Sequence, residues 1–217
     1  MATRSQEKCL VPGPAGNIEV VVAQGRSDGA LADSGFAAVV CHPHPLHGGT
    51  MDNKVVTTLA RVYQSLGVTV ARFNFRGVGA SDGEHDQGRG EVEDLRIVMS
   101  WLRDRASADK LLLAGFSFGT GVVSNACLAE KSVAHVVFVA PPVGRYNFAP
   151  VAGYPCPVCV VMGDQDELVD AGEVYRWAEA LSPPASVIAL AQATHFFHGH
   201  LIELRDRLGA LLADQLA

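Results

Sequence analysis

Apolar and polar positions along this chain form two kinds of alternating block. Short runs rich in β-branched and other apolar residues contain few polar positions, which is typical of strands in a sheet covered on both faces. The predicted strands are residues 20–23, 36–41, 68–73, 110–116, 133–140, 157–162 and 186–191. Segments with helical periodicity lie between most of them, at residues 55–65, 90–105, 119–130, 171–181 and 199–216. This alternation predicts an α/β fold with a doubly wound, mostly parallel sheet.

The N-terminal part of the chain departs from that pattern. A further strand near residues 8–11 is followed by the Pro- and Gly-rich segment 12–16, which predicts a hairpin with the strand beginning at Ile18 and hence an antiparallel edge. Later, the segment between residues 140 and 156 is too short for a helical covering subdomain. No large lid domain is therefore expected there.

Composition narrows the classes of function. The 217 residues are 48% hydrophobic, which predicts a single domain spanning residues 1–217. The net charge is −6 and the 17 Lys and Arg residues are scattered, so the chain lacks the basic patch that nucleic acids or anionic membranes require. Its start lacks an apolar signal core, and no stretch approaches the roughly 20 apolar residues of a membrane span. The predicted setting is the cytoplasm, with a small-molecule partner; the sequence does not indicate the oligomeric state.

Five cysteines are present, and the pair Cys156 and Cys159 is the closest in sequence. A C-x-x-C pair raises a redox or zinc hypothesis. However, this pair falls in an apolar run predicted as a buried strand, where residues three apart point to opposite faces. The two residues are therefore predicted to be small buried core residues.

The strongest chemical motif is Gly-Phe-Ser-Phe-Gly at residues 115–119. It follows an apolar strand and precedes a helical pattern, which is the context of a nucleophile elbow, G-x-S-x-G. Strand and helix approach closely at such a turn, so glycine is needed at positions 115 and 119. The motif predicts that Ser117 is a nucleophile, with the helix N-terminus facing any negative charge that forms beside it.

Two further segments carry a family resemblance. Residues 42–54 read His-Pro-His-Pro-Leu-His-Gly-Gly-Thr-Met-Asp-Asn-Lys, and residues 72–81 read Arg-Phe-Asn-Phe-Arg-Gly-Val-Gly-Ala-Ser. With the elbow and the later acid and histidine loops, they resemble the small lidless bacterial α/β-hydrolases, predicted serine esterases of the dienelactone-hydrolase-like group. The resemblance covers nearly the whole chain. It implies the α/β-hydrolase fold, with an eight-stranded, mostly parallel sheet, helices on both faces, and a Ser-Asp-His triad.

One departure limits what the resemblance implies about the substrate. Dienelactone hydrolases proper use a cysteine nucleophile, whereas this elbow carries Ser117. Their lactone specificity is therefore not expected here, and fold-level similarity does not name a substrate.

Ser117 needs a histidine to accept its proton and an acid to orient that histidine. Residues 163–169 have the G-x-x-D-x-x-V pattern that resembles the acid loop of the superfamily, which favours Asp166. Asp164 and Glu167 remain alternatives for the acid. His195 comes first after the last predicted strand and is the expected base.

His198 and His200 are the alternatives for the base. They fall at the start of the last predicted helix, where an exposed or capping role is more common.

Two backbone N–H groups are expected to bind the oxyanion. Phe118 supplies one by its position after the nucleophile. The second is expected from the loop after residues 36–41, where Pro43 and Pro45 have no N–H to donate. His44 is favoured, and Leu46 remains an alternative.

The histidines and arginines of these segments suggest further roles. His42, His44 and His47 raise a metal site, but no nearby Cys or E-x-x-H pattern completes a ligand set. We expect no metal and no organic cofactor. Arg72 and Arg76 offer positive charge for an acidic substrate, although Arg76 is equally suited to bracing neighbouring loops.

These residues predict a serine hydrolase that cleaves carboxylic esters with small or medium acyl groups, with Ser117, His195 and Asp166 as its triad. A thioesterase or peptidase with the same triad is one alternative. A binding protein that kept the fold without turnover is the other.

Overall fold

Eight strands form one sheet in the computed structural model, which describes residues 6–146, 148 and 153–217. The strands are β1 (Gln6–Gly13), β2 (Gly16–Ala23), β3 (Phe36–Cys41), β4 (Thr69–Phe73), β5 (Lys110–Phe116), β6 (Val133–Val139), β7 (Val158–Gly163) and β8 (Ser186–Leu190). Their order across the sheet is β1-β2-β4-β3-β5-β6-β7-β8. From β4 to β8 all neighbours are parallel. The predicted mostly parallel, eight-stranded sheet is confirmed.

The N-terminal hairpin is also confirmed. β1 pairs with β2 in antiparallel register from Gln6 opposite Ala23 to Gly13 opposite Gly16, and β2 pairs with β4, again antiparallel. The hairpin therefore forms one edge of the sheet. The buried valines of β2 continue the core to that edge.

Five helices cover the sheet among the described residues: α1 (Lys54–Leu66), α2 (Arg89–Ala106), α3 (Phe118–Leu128), α4 (Ala171–Ala180) and α5 (Leu201–Leu216). Helix α1 packs against α5 on one face and α2 against α3 on the other. Local capping fixes their starts: the Asn53 side chain accepts the Val55 N–H at 2.8 Å, and buried Glu91 accepts the Gly88 N–H at 2.8 Å. Both contacts satisfy N–H groups that a helix start leaves unpaired.

No large lid accompanies this sheet in the part of the chain that the structure describes. The connection from β6 to β7 contains no helix among its described residues, and residues 147 and 149–152 lie outside them. None of the described helices combines the length and the apolar character that crossing a membrane would need.

The cysteines are placed differently from the sequence expectation. Cys156 and Cys159 are buried, as predicted, but Cys156 precedes β7 instead of lying on it. Its Sγ lies 3.6 Å from Sγ of Cys127 on α3. Burial raises the pKa of Cys159 to about 12, so this thiol stays protonated at neutral pH.

A buried ion pair ties the turn after β4 to helix α2. The Arg76 guanidinium donates to both carboxylate oxygens of Asp94, at 2.9 and 2.8 Å, and the Asp94 side chain is only 1% exposed. The guanidinium also fills the space beside Gly90, where a Cβ would lie 1.9 Å from Nη1. Arg76 therefore braces the turn after β4 against α2, in keeping with the bracing role that was one of its two expected roles.

We expect Asp94→Ala to lower the free energy of unfolding by about 3–5 kcal/mol, because it leaves a largely buried guanidinium without its partner. Glu93→Ala is the matched control. Glu93 lies 3.6 Å from the same guanidinium but is 59% exposed, so its loss is expected to cost less than about 1 kcal/mol. Urea unfolding of both variants measures the difference, and equal effects would contradict the assignment of Asp94 as the main partner.

Candidate active site

Ser117, Asp166 and His195 meet at the carboxyl edge of the parallel strands. Ser117 directly follows β5, Asp166 lies in the loop after β7, and His195 lies in the loop after β8. Ligand and reaction sites of open α/β sheets form at this edge because the loops leaving the strands converge there.

The backbone of the elbow is strained, and glycines make that strain possible. Ser117 has φ 52° and ψ −119°, outside the regions that side-chain-bearing residues prefer, and its N–H donates to the Val139 carbonyl at 2.9 Å. A Cβ on Gly115 would lie 2.5 Å from the carbonyl carbon of Gly119, and one on Gly119 would lie 2.6 Å from the His42 carbonyl oxygen. Both contacts are with backbone atoms, which cannot swing away. Strand, helix and the loop after β3 are therefore pressed together around the serine.

A hydrogen-bonded chain links the three side chains. His195 Nε2 lies 3.1 Å from Ser117 Oγ, and His195 Nδ1 lies 2.8 Å from Asp166 Oδ2. The other carboxylate oxygen accepts the N–H groups of Leu168 and Val169 at 2.9 and 2.8 Å. Because the carboxylate accepts from Nδ1–H, Nε2 is left with its lone pair toward the serine hydroxyl. This is the arrangement that a general base requires.

The alternative acids hold the loops instead. Asp164 Oδ1 accepts the Gln192 N–H at 2.6 Å, and Glu167 Oε2 accepts the backbone N–H of His195 at 3.1 Å. Neither carboxylate contacts the imidazole ring in the part of the chain that the structure describes. Both therefore fix the loop after β8, and with it the position of the histidine.

The alternative histidines lie away from the serine. His198 is exposed and its ring stacks beside Phe196 at 6.0 Å, and His200 occupies the N-cap of α5, with Nδ1 3.5 Å from Glu203. His198 thus has the exposed position considered above, and His200 stands at a helix start without a capping hydrogen bond from its side chain in the described part of the chain.

The two backbone N–H groups expected to bind the oxyanion make no hydrogen bond among the described residues. The N–H groups of Phe118 and His44 donate to no acceptor among the described residues, and the rings of these two residues are 4.9 Å apart. The N–H of Leu46 instead donates to Nδ1 of the His44 side chain at 3.2 Å. The geometry therefore favours His44 over Leu46 as the second donor.

His42 holds the loop after β3 in place through hydrogen bonds at both of its ring nitrogens. The Phe75 N–H donates to its Nε2 at 3.0 Å, so the ring proton sits on Nδ1, which donates to the Pro43 carbonyl at 2.6 Å. Burial lowers the pKa of His42 to about 4. The neutral ring therefore ties the loop after β3 to the end of β4 at neutral pH.

The histidines of the loop after β3 contact other protein groups. Both nitrogens of His42 are engaged, and no trio of His, Cys, Asp or Glu among the described residues is placed to hold a metal ion. The His44 ring instead stacks on His47 at 4.5 Å and lies 5.0 Å from His85. Burial is the main cause of a lowered pKa at His44.

His85 and Tyr146 are neighbours of the site that the sequence did not indicate. Their rings lie 5.6 Å from that of Phe118. His85 belongs to the long loop between β4 and α2, and Tyr146 to the connection after β6. No local motif marks either residue, because their positions depend on the paths of long loops.

The aromatic residues around the elbow have different roles. Phe116 and Phe197 are fully buried, and the Phe116 ring packs 5.2 Å from that of His195. Phe196 is 39% exposed, whereas Phe118 lines a cleft of about 460 Å³ between α2 and α3. Of the aromatics flanking the candidate triad, Phe118 is thus the one that borders this open space.

Arg72 and Arg76 do not line that cleft. Arg72 is buried, pairs with Asp52 and donates to the Met51 carbonyl at 2.9 Å. With Arg76 bound to Asp94, both arginines are engaged within the protein.

Comparisons with known proteins agree with this architecture. A family model described as alpha/beta hydrolase fold matches residues 46–155. An uncharacterized protein of Rickettsia prowazekii is 37% identical over 194 residues, covering 85% of this chain and 79% of that protein.

Two solved structures are also similar. An α/β serine hydrolase without a lid from Xanthomonas campestris is 40% identical, with a TM-score of 0.90, covering 99% of this chain and 96% of that one. An α/β serine hydrolase homologue from Coxiella burnetii is 43% identical, with a TM-score of 0.90, covering 98% of this chain and 100% of that one.

The buried His42 predicts a loss of stability in acid. Its folded-state pKa of about 4 lies below the ordinary 6.5, so the unfolded chain binds the proton more readily between these values. The neutral His42 ring therefore contributes about 3 kcal/mol to the free energy of unfolding. This contribution is fully present above pH 6.5 and is lost as the pH falls toward 4. His42→Gln keeps an acceptor for the Phe75 N–H but cannot titrate. We expect a shallower decline in its free energy of unfolding, measured by urea unfolding between pH 7 and pH 4, and parallel curves would contradict the assignment.

Proposed function

This chain belongs to the α/β-hydrolase fold family, and from that premise we propose that it is a serine hydrolase cleaving carboxylic esters with small or medium acyl groups. The observation that carries the proposal is the chain from Ser117 Oγ through the His195 ring to Asp166, with separations of 3.1 and 2.8 Å. The description of the similar Xanthomonas protein as a serine hydrolase without a lid supports it.

Acylation begins with attack of Ser117 Oγ on the ester carbonyl. His195 Nε2 accepts the hydroxyl proton as the bond to carbon forms, and the ring becomes an imidazolium. The Asp166 carboxylate, whose side chain is fully buried, holds the ring by Nδ1–H and stabilises its positive charge. Leu168 and Val169 donate N–H groups to its other oxygen and fix the orientation of the carboxylate.

The negative charge develops on the former carbonyl oxygen. The N–H groups of Phe118 and His44 donate to this oxyanion, and the N-terminus of α3 adds its dipole. The tetrahedral intermediate collapses when Nε2–H protonates the departing alkoxide, leaving an ester on Ser117. Water then attacks this acyl-enzyme, with His195 again accepting and returning the proton. The protein's own groups complete the cycle, with no metal or organic cofactor.

An open approach to Ser117 supports small or medium acyl groups. The clefts that adjoin the candidate triad are bounded by loops and helix faces among the described residues, without a helical cover. A long acyl chain would leave much of its apolar surface in water, and would gain little from binding.

Replacing Ser117 by Ala tests the nucleophile. We expect kcat for p-nitrophenyl esters to fall by at least about 10⁴-fold, because no other group can form the acyl-enzyme. A series of acyl lengths on the purified wild-type protein measures the acyl preference, and circular dichroism shows whether the variant is folded. Labelling of the wild type, but not the variant, by a fluorophosphonate probe gives an independent readout. Unchanged ester hydrolysis by Ser117→Ala would refute the proposal.

A matched pair of substitutions tests the acid. Asp166→Asn removes the charge that stabilises the imidazolium and disturbs the ring tautomer, so we expect kcat to fall by about 10⁴-fold. Glu167→Gln retains an oxygen acceptor for the His195 N–H and is expected to change kcat less than about fivefold. Steady-state kinetics on one ester compares them. A larger loss in Glu167→Gln than in Asp166→Asn would assign the acid to Glu167.

A further inference from the structure

We propose that the cleft beside Phe118 binds a negatively charged group at the far end of the acyl chain, so that the preferred substrates are esters of acids carrying a second, anionic group. This inference rests on the proposed ester hydrolysis and adds a substrate class to it. We call this space, of about 460 Å³, the arginine cleft.

One face of α3 leads from the nucleophile into the arginine cleft. Phe118, Gly121, Val122 and Asn125 line it, and their spacing of three, four and seven residues places them on one side of the helix. With a rise of about 1.5 Å per residue, this stripe extends about 10 Å from the residue after Ser117. The length suits a short or medium acyl chain.

The position of His195 assigns the cleft to the acyl portion. The leaving group must sit against His195 Nε2, which delivers its proton, and the His195 ring packs beside Phe116 and Phe196. Phe118 instead contacts His44, His85 and Tyr146, on the side of α2. The acyl portion extends away from the leaving group, and hence toward the arginine cleft.

Gly121 keeps the floor of the cleft open. A Cβ at this position would lie 3.3 Å from Cβ of Tyr146, so a larger side chain would project into the space between them. Gly121 itself lines the cleft. Together with Val92 and Val122 it provides a surface for the methylene groups of an acyl chain.

The rim of the cleft is positively charged. Arg89, Arg96 and Arg145 line it, and none of its described lining residues is acidic. Arg89 pairs with Asp86 at 3.0 Å, and Arg145 donates to the Leu168 carbonyl of the acid loop at 3.0 Å. Arg96 forms no salt bridge among the described residues, so an anionic ligand would supply its partner without breaking an existing ion pair.

The cleft on the other side of the acid loop has the opposite charge. Its volume is about 770 Å³, and its lining has one cation, Arg145, which borders both clefts, against the carboxylates of Asp164, Asp166, Glu167, Asp170 and Glu173. In a chain of net charge −6, an anion is repelled from that side and attracted to the arginine side. The charge pattern therefore orients an anionic substrate as well as binding it.

Two esters of equal chain length test the proposal: the p-nitrophenyl monoester of adipate, which is anionic, and p-nitrophenyl hexanoate, which is neutral. The measured quantity is the ratio of their kcat/KM values. We expect Arg96→Gln to lower the adipate-to-hexanoate ratio about fivefold, as for loss of one partly solvated ion pair, and Arg96→Glu to lower it about tenfold or more. Arg103→Gln is the matched control, because it removes the same charge from α2 outside the cleft. Salt is expected to weaken the adipate preference of the wild type.

The outcomes separate the two proposals. A ratio that falls in the Arg96 variants and not in Arg103→Gln supports the anionic acyl site. A ratio that is unchanged in the Arg96 variants, or that falls equally in Arg103→Gln, overturns it. Hydrolysis of the neutral hexanoate that is lost in Ser117→Ala upholds ester hydrolysis in either case. Hexanoate hydrolysis that survives in Ser117→Ala refutes the proposed function itself.

Discussion

The strained turn at Ser117 is the constraint on which the rest of the site depends. A φ of 52° with ψ −119° is held because β5, α3 and the loop after β3 close around it, with Gly115 and Gly119 leaving no Cβ at the contacts. The contact between Gly119 and the His42 carbonyl places the loop that carries His44 against the start of α3. One close approach of backbones thus holds the serine and the two segments that carry the proposed oxyanion donors.

The sequence predicted the fold well because the sheet is buried on both faces. Strands such as β3 and β5 are almost continuously apolar, and every predicted helix lies within two residues of its observed bounds. The prediction that Cys156 lies on a buried strand was wrong, because it too relied on apolar character alone. The apolar run that includes it begins before the first hydrogen-bonded residue of β7, and hydrophobicity alone does not show where pairing starts. Its contact with Cys127 joins segments far apart in the chain, which no local pattern reveals.

In the candidate site, the predictable residues are those fixed by strand ends. Ser117, Asp166 and His195 follow β5, β7 and β8, so topology alone brings them to one edge, and their mutual distances agree with the roles proposed for them. The partners of the arginines were less predictable. Arg72 and Arg76 belong to a conspicuous motif yet bind Asp52 and Asp94, whereas the arginines of the arginine cleft belong to no motif. Only the path of the backbone determines which arginine meets a carboxylate and which faces a cleft.

The opposite charges of the two clefts also bear on the proposed chemistry. In the proposed acylation, positive charge develops on His195, whose ring is held by Asp166 at the border of the acidic cleft, while negative charge develops next to Phe118, which borders the arginine cleft. The positive charge thus develops near carboxylates and the negative charge near arginines, so the surrounding side chains favour both. Because these side chains are charged before substrate arrives, the field requires little reorganisation as the transition state forms. An anionic acyl group would use the same field for binding, so orientation of the substrate and stabilisation of the oxyanion share one electrostatic cause.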